Sequence, residues 1–355
     1  MAVLAFMSVS CDKDTSADNN EPSGEYPELE EVDDVCTKMD DVNFKIYCYS
    51  NFDTDGDAKV SMTEANAVTA IECDDVTSFA GLEYFTNLKS FKSSSVVKVD
   101  FRYNKNLESI NCTGSDIESA DLSYNENLKS IIFYECGLLA SVTLPDNLTS
   151  IERSAFESCY LLESLEIPEG VTSIGSQAFW FCRSLKSVNI PDAVTSIERS
   201  TFEGCTLLES LEIPAGVISI GSSAFYECSS LESINIPEGV TGIPDRLFDG
   251  CSSLKSITIP AGVTSIADYA FLGCNSLESV DASQCGNIQE IGGEAFLYCS
   301  SIKEFLLGTS NPPAFTSGES IFDNLSDAVL KVPTESVEAY KNSDWAAYFG
   351  TIEAL

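Results

Sequence analysis

The chain has 355 residues, 44% of them hydrophobic, and its 56 acidic and 19 basic residues give a formal net charge of −37. Because this charge repels phosphate backbones, we expect no nucleic-acid partner; the acidic surface either keeps the protein soluble or attracts calcium or a basic partner. The chain has no histidine, which excludes the commonest general base and the His-containing catalytic and zinc sites. It also has no phosphate-binding loop of the form G-x-x-x-x-G-K-[ST]. We therefore predict that it is not an enzyme.

The first predicted segment, residues 1–11, is a short apolar run that ends in Cys11. Small residues ahead of a cysteine are typical of a lipoprotein signal, and the run is too short to span a bilayer. We therefore expect a lipid on Cys11 as the only membrane contact; the alternative is a terminus in which this cysteine has no role. Residues 12–34 contain ten acids and one lysine, which is typical of a disordered acidic tether.

For residues 35–74 the sequence predicts a small, EF-hand-like helical cap that contains a calcium-binding loop. Residues 53–64 have EF-hand spacing, in which acids at positions 1, 3 and 5, a backbone carbonyl at position 7 and a bidentate glutamate at position 12 surround Ca²⁺. These positions hold Asp53, Asp55, Asp57, Lys59 and Glu64. One helix is expected to enter the loop through Phe52, and another to leave it from Ser61. The sequence thus predicts Ca²⁺ as a structural cofactor.

Two features of the same loop leave a metal-free alternative open. Position 6 of an EF-hand loop is normally glycine, but the chain has Ala58 there, which would hold a positive φ at an energetic cost. Ser61 and Glu64 also have the spacing of a helix capping box, which needs no metal. The alternative to the calcium loop is therefore an acidic turn in front of a helix.

Residues 75–310 are repetitive, with a period of 23 residues over most of their length. In the unit 162–182, Leu165 and Ile167 alternate as in a half-buried strand, and Pro168 ends that strand. The most regular part of the array is a series of phenylalanines, each followed three residues later by a cysteine: Phe156–Cys159, Phe179–Cys182, Phe202–Cys205, Phe225–Cys228, Phe248–Cys251 and Phe271–Cys274. This period predicts a β-rich solenoid with short turns or helical corners, and residues 311–355 are expected to cap its last coil.

The repeat L-x-S-[ILV]-x-[IL]-P-x-x-V-x-S-I-x-x-x-[AT]-F-x-x-C resembles the BspA-like leucine-rich repeats of surface proteins from Gram-negative gut and oral bacteria. Asn87-Leu88, Asn106-Leu107 and Asn127-Leu128 mark shorter, related units upstream. The resemblance implies a leucine-rich-repeat solenoid on an exported lipoprotein at the outer membrane or cell surface. An EF-hand-like or dockerin-like loop ahead of the repeats is similar to what this family carries.

The repeat cysteines recur at one core position, which favours a buried ladder of free thiols, although neighbouring rungs could come within disulfide distance. Cys36, Cys48 and Cys73 precede the repeats, and the sequence leaves open whether two of them pair.

Candidate partner-binding residues are aromatic side chains that interrupt a position otherwise filled by small or charged residues. Trp180, Phe181 and Tyr226 stand just before the repeat cysteines and are either anchors for a partner or local packing. We expect a monomeric recognition or adhesion protein that binds a host or neighbouring-cell protein. The alternatives are a glycan-binding lipoprotein for carbohydrate capture and a structural spacer.

Overall fold

The structure is a computed structural model that describes residues 28–316, 320–323 and 325–355. Cys11 and most of the predicted tether lie outside the described residues. The chain divides into Met1–Glu31 and Val32–Leu355, and the second unit contains all the helices and strands that the structure describes. No helix in these described ranges is long and apolar enough to cross a membrane.

The N-terminal cap consists of a 3-10 helix, Val35–Lys38, and two α-helices, α1 (Val42–Phe52) and α2 (Met62–Ala67). Asp41 begins α1 by accepting hydrogen bonds from the N–H groups of residues 43 and 44. Its other carboxylate oxygen accepts from the N–H and the hydroxyl of Thr77. Phe44 is buried, with its ring 4.9 Å from that of Phe79 in the first coil. The cap therefore covers the apolar end of the solenoid.

The solenoid has about 12 turns with a 23-residue period and contains two lines of short parallel strands, which confirms the predicted fold class. The first strand line comprises β1 (Ala70–Glu72), β2 (Ser90–Lys92), β3 (Ser109–Asn111), β5 (Ser130–Ile132), β7 (Ser150–Ile151), β9 (Ser173–Ile174), β11 (Ser196–Ile197), β13 (Ser219–Ile220), β16 (Ser265–Ile266), β18 (Glu290–Ile291) and β20 (Ala314–Phe315). The second comprises β4 (Ser119–Asp121), β6 (Ser141–Thr143), β8 (Ser164–Leu165), β10 (Ser187–Val188), β12 (Ser210–Leu211), β14 (Ser233–Ile234), β15 (Ser256–Thr258), β17 (Ser279–Ala282), β19 (Glu304–Leu307), β21 (Leu325–Val332) and β22 (Phe349–Ala354). A further 3-10 turn lies at Leu82–Tyr84.

Stacked phenylalanines fill the core at the corner that precedes each repeat cysteine. The ring of Phe202 lies 5.4 Å from that of Phe179 and 5.7 Å from that of Phe225, in nearly parallel planes. The stack contains Phe133, Phe156, Phe179, Phe202, Phe225, Phe248, Phe271, Phe296 and Phe322. No single turn could bury its own ring, so the core exists only because the turns stack.

The repeat cysteines are buried and free, which confirms the predicted thiol ladder. Each thiol donates to the carbonyl oxygen of the phenylalanine one turn earlier, as Cys205 does to Phe179 at 3.2 Å. Burial raises the pKa of these thiols, so they remain protonated donors. Cys36, Cys48 and Cys73 are likewise buried and free.

The C-terminal segment extends the second strand line and then closes its end. After β21, a 3-10 helix (Thr334–Ser336), α3 (Val337–Lys341) and a second 3-10 helix (Asp344–Ala347) lead into β22. The buried Trp345 donates its indole N–H to the Pro313 carbonyl at 3.1 Å. This bulky side chain supplies the apolar cover that a terminal coil requires.

Candidate functional site

The predicted calcium loop brings three carboxylates together. Asp53 ends α1, and its side chain and those of Asp55 and Asp57 place oxygens that all lie within 4.8 Å of one another. Oxygen ligands of this kind suit Ca²⁺, whereas carboxylates this close repel one another when no cation neutralises them.

The hydrogen bonds inside the loop hold these carboxylates in place. Asp53 accepts from the N–H groups of Gly56 at 2.8 Å and Ala58 at 3.0 Å, and Asp57 accepts from the N–H of Lys59 at 2.9 Å. Ala58 has φ +65°, the left-handed conformation that the sequence predicts for position 6. Lys59 also directs its ammonium group to Asp33. Ala58 therefore adopts, without being glycine, the left-handed conformation that glycine normally provides at this position.

Glu64 forms the capping box that the sequence gives as the alternative role. Its carboxylate accepts from the N–H of Thr54 at 2.7 Å and the N–H of Ser61 at 2.9 Å, while the Ser61 hydroxyl accepts from the Glu64 N–H at 3.3 Å. The hydrogen bonds from the hydroxyl and N–H of Thr54 and from Ser61 lower the pKa of Glu64 to about 2. The residue thus ties the two ends of the loop together as an ionised carboxylate.

Asp34, which the sequence assigns to the end of the tether, supports the loop from outside. Its carboxylate accepts from the Val60 N–H at 3.1 Å, the Cys36 N–H at 3.0 Å and the Tyr49 hydroxyl at 2.6 Å. Burial alone would raise the pKa of Asp34, but these three hydrogen bonds outweigh it and hold the pKa below its usual value. The only sequence signal for this role of Asp34 is that aspartate is a favoured N-cap residue and that it directly precedes the helix beginning at Val35.

Trp180 and Phe181 lie together on the flank of the solenoid, with ring centroids 4.6 Å apart. Phe181 has φ +55° and its ring lies against the next turn, where a Cβ added at Gly204 would be 2.3 Å from it. Arg183 places its guanidinium 5.2 Å from the centre of the Phe181 ring and 5.6 Å from that of Tyr160.

Tyr226 occupies the repeat position of Trp180 two turns later and is half-buried. A hydrogen bond with Glu227 and burial raise the pKa of its hydroxyl. The two aromatic side chains are separated along this column by Glu203, so the structure brings Trp180 and Phe181 together but leaves Tyr226 apart from them.

Exposed apolar residues beside this aromatic pair escaped the sequence predictions. The position two residues after the repeat cysteine holds Leu138, Leu161 and Leu207, each about half exposed. Ser184 interrupts these leucines, and the turns after Leu207 have serine there, such as Ser253. We call the surface formed by these leucines with Tyr160, Phe181 and Arg183 the apolar flank. The presence of leucine at this repeat position in some turns and serine in others was readable from the sequence.

Comparison with known proteins gives the following similarities. A leucine rich cell surface protein of Faecalibacterium prausnitzii A2-165 is 24% identical, with 80% of this chain and 82% of that chain covered and a TM-score of 0.39. A leucine-rich repeat protein of Eubacterium ventriosum is 20% identical over 66% and 72% of the two chains, with a TM-score of 0.46. A leucine-rich repeat protein of Bacteroides ovatus is 20% identical, with 74% of this chain and 88% of that chain covered and a TM-score of 0.32. No curated protein matches the chain.

A family model, the BspA type leucine rich repeat region, matches the chain in 6 copies over residues 126–252 and 195–329. These ranges contain all of the stacked phenylalanines and the whole thiol ladder, and together they cover more than half of the chain. The chain therefore belongs to the BspA-type leucine-rich-repeat family.

Proposed function

We propose that this protein is a non-catalytic recognition or adhesion protein that binds a host or neighbouring-cell protein through its repeat surface. The observation that carries the proposal is the apolar flank, a group of half-exposed leucines and aromatic rings on a chain with a net charge of −37. Large apolar side chains that cluster at a surface often mark a protein interface, and aromatic residues and arginine are enriched at the centres of interfaces.

The outward face of the second strand line supports this choice because its lysines are already paired with glutamates. Lys186 lies 2.9 Å from Glu163 of the preceding turn, and Lys255 lies 2.5 Å from Glu232 in the same way. Exposed pairs of this kind stabilise little and remain hydrated. The apolar flank, in contrast, gains from losing its water, so we place the protein partner there.

We expect Leu161→Glu to lower partner affinity at least about tenfold, because it places a charge in the middle of the apolar flank. The measurement is binding of soluble residues 12–355 to an array of extracellular-matrix and cell-surface proteins, followed by surface plasmon resonance on the hits. Ser253→Glu is the matched control, since it adds the same charge at the same repeat position four turns later. If both variants lose affinity equally, the apolar flank is not the docking surface.

The proposed location is the surface of a Gram-negative bacterium, with a lipid on Cys11 and residues 12–34 as a spacer. Support comes from the apolar run before Cys11 and from family membership. Display at a distance from the membrane would leave the flank accessible to other cells.

We also propose that the loop of residues 53–64 binds one structural Ca²⁺. Asp53, Asp55 and Asp57 supply convergent carboxylate oxygens, and the ion would offset their mutual repulsion. Glu64 and the Lys59 carbonyl stand at the remaining ligand positions of the pattern. Because the loop joins α1 to α2, the ion would brace the cap against the first coil.

Calcium is expected to bind with one-to-one stoichiometry in isothermal titration calorimetry of residues 12–355 and to raise the melting temperature. Ligand at a hundredfold excess over Kd stabilises a fold by about 2.7 kcal/mol. Asp53→Ala should abolish both effects, whereas Asp192→Ala, at an exposed aspartate of the solenoid, should leave both unchanged. If no heat of binding is detected at millimolar Ca²⁺, the loop is only a capping turn and binds no structural Ca²⁺.

A further inference from the structure

An open cleft of about 600 Å³ lies beside Trp180 and is separate in its lining from the apolar flank. Three consecutive turns contribute to it: Arg153 comes from the first, Gln177 and Trp180 from the second, and Arg199 and Glu203 from the third. The volume lies in the range of pockets that hold small ligands.

The cleft arises from a sequence change in the middle turn. The corner reads Ile-Glu-Arg-Ser at residues 151–154 and again at residues 197–200, but Ile-Gly-Ser-Gln at residues 174–177. A Cβ at Gly175 would lie 2.5 Å from the backbone nitrogen of Arg153, so glycine is what lets the two turns approach. Ser176 then stands where its neighbours have Arg153 and Arg199. Two long guanidinium side chains thus flank a small residue, which leaves a notch above Trp180.

The lining offers both donors and acceptors of hydrogen bonds. Arg153 donates to the Gln177 side-chain oxygen at 3.1 Å, while Arg199 forms no ion pair with any described carboxylate. The Trp180 indole N–H is buried and has no acceptor among the described residues. Two arginines face two glutamates, Glu198 and Glu203, so the lining is balanced in charge on a strongly acidic chain.

The donors, acceptors and balanced charges of the cleft favour one class of ligand over two others. An apolar ligand would leave the guanidinium and carboxylate groups without partners, which costs free energy. A polyanion would face both lining glutamates and the field of the whole chain. Sugar hydroxyls donate and accept at once, so they match planar Arg, Gln and Glu groups, and the apolar face of a sugar ring packs on an indole.

We propose that this cleft binds an uncharged sugar ring of a glycan, which stacks on Trp180 and hydrogen-bonds to Arg199, Gln177 and Glu203. The site is independent of the protein partner proposed for the apolar flank.

The test begins with residues 12–355 on an array of neutral, uronate-bearing and sulfated oligosaccharides. The strongest neutral ligand is then titrated while tryptophan emission is recorded. The chain has 2 tryptophans, and Trp345 is buried in the C-terminal cap, so a saturable change reports Trp180. Trp180→Ala is expected to lower affinity at least about tenfold in calorimetry, and Arg199→Ala about threefold to tenfold.

Arg199 is exposed, so its variant tests the site even if Trp180→Ala disturbs the fold. Tyr298→Ala, at an exposed aromatic residue of a later turn, should bind the glycan as the parent does. Leu161→Glu should also keep glycan binding, which separates this site from the apolar flank. The proposal is overturned if no neutral glycan binds saturably, if only acidic glycans bind, or if Arg199→Ala and Trp180→Ala both bind normally.

Discussion

Phe202→Ala is expected to destabilise the solenoid by about 3–5 kcal/mol, the usual loss for a fully buried phenylalanine. The ring is 0% exposed and stacks on Phe179 and Phe225, so the substitution removes two aromatic contacts and leaves a cavity between three turns. Neighbouring turns cannot collapse into this cavity easily, because their spacing is fixed by the two strand lines. Urea unfolding followed by circular dichroism measures the loss.

Phe181→Ala is the matched control for this prediction, since it removes the same side chain from a half-buried position one turn earlier. It should cost less than about 1 kcal/mol, and it also removes a large residue from a left-handed backbone position. Hydrogen exchange should show that Phe202→Ala weakens protection mainly in the turns beside it, as expected when each repeat contacts only its neighbours. Equal losses in the two variants would contradict the view that the stack carries the stability.

The repeat architecture was predictable because every turn obeys the same local rules. The spacing of Phe202 from Phe179 and Phe225, together with the serine-aliphatic strand pattern, appears in the sequence as a fixed period. A period of this kind implies stacking, and stacking makes both the buried thiols and the parallel strands necessary. One sequence could therefore give the fold without any long-range contact being known.

The upstream turns contain polar core residues that this reasoning missed. The sequence draws attention to Asn106 and Asn127, which are exposed. The buried residues are Asn104 and Asn125, whose side-chain amides donate to carbonyl oxygens of the turn before, as Asn125 does to Phe101 and Asn104 at 3.0 Å. Asparagine is usually read as a turn residue, and only the stacked backbone provides the carbonyl groups that accept from its side-chain amide here. The side-chain oxygens of Asn104 and Asn125 have no hydrogen-bond partner among the described residues.

The candidate sites also differ in whether their residues are close in the sequence or come together only when the turns stack. The loop of residues 53–64 was predictable because its proposed ligands lie within twelve consecutive residues. The apolar flank and the cleft beside Trp180 join residues of different turns, so they become visible only when the turns are superposed. Gly204 illustrates the difference: its role as the surface on which the Phe181 ring lies depends on the neighbouring turn.

Asp249→Asn is expected to stabilise the protein at pH 7.5 by about 1–3 kcal/mol. The Asp249 side chain is almost fully buried, and this burial raises its pKa to about 6; Arg246, 2.8 Å away, opposes the rise, while Glu227 and Asp245 add to it. Asparagine keeps an oxygen that can accept from Arg246 and removes the buried charge. The substitution increases the unfolding free energy because it removes the cost of desolvating the carboxylate, which the ion pair with Arg246 only partly offsets.

The sign of the pH dependence separates this explanation from a simple packing effect. Because the folded pKa of about 6 lies above the ordinary value of 3.8, the folded state binds the proton more tightly than the unfolded chain. The cost of the charge is therefore fully present above pH 6, decreases as the pH falls, and is gone below about pH 4. The difference in unfolding free energy between Asp249→Asn and the parent should shrink along the same course in urea titrations. If Asp249→Asn is less stable than the parent at pH 7.5, the ion pair outweighs desolvation.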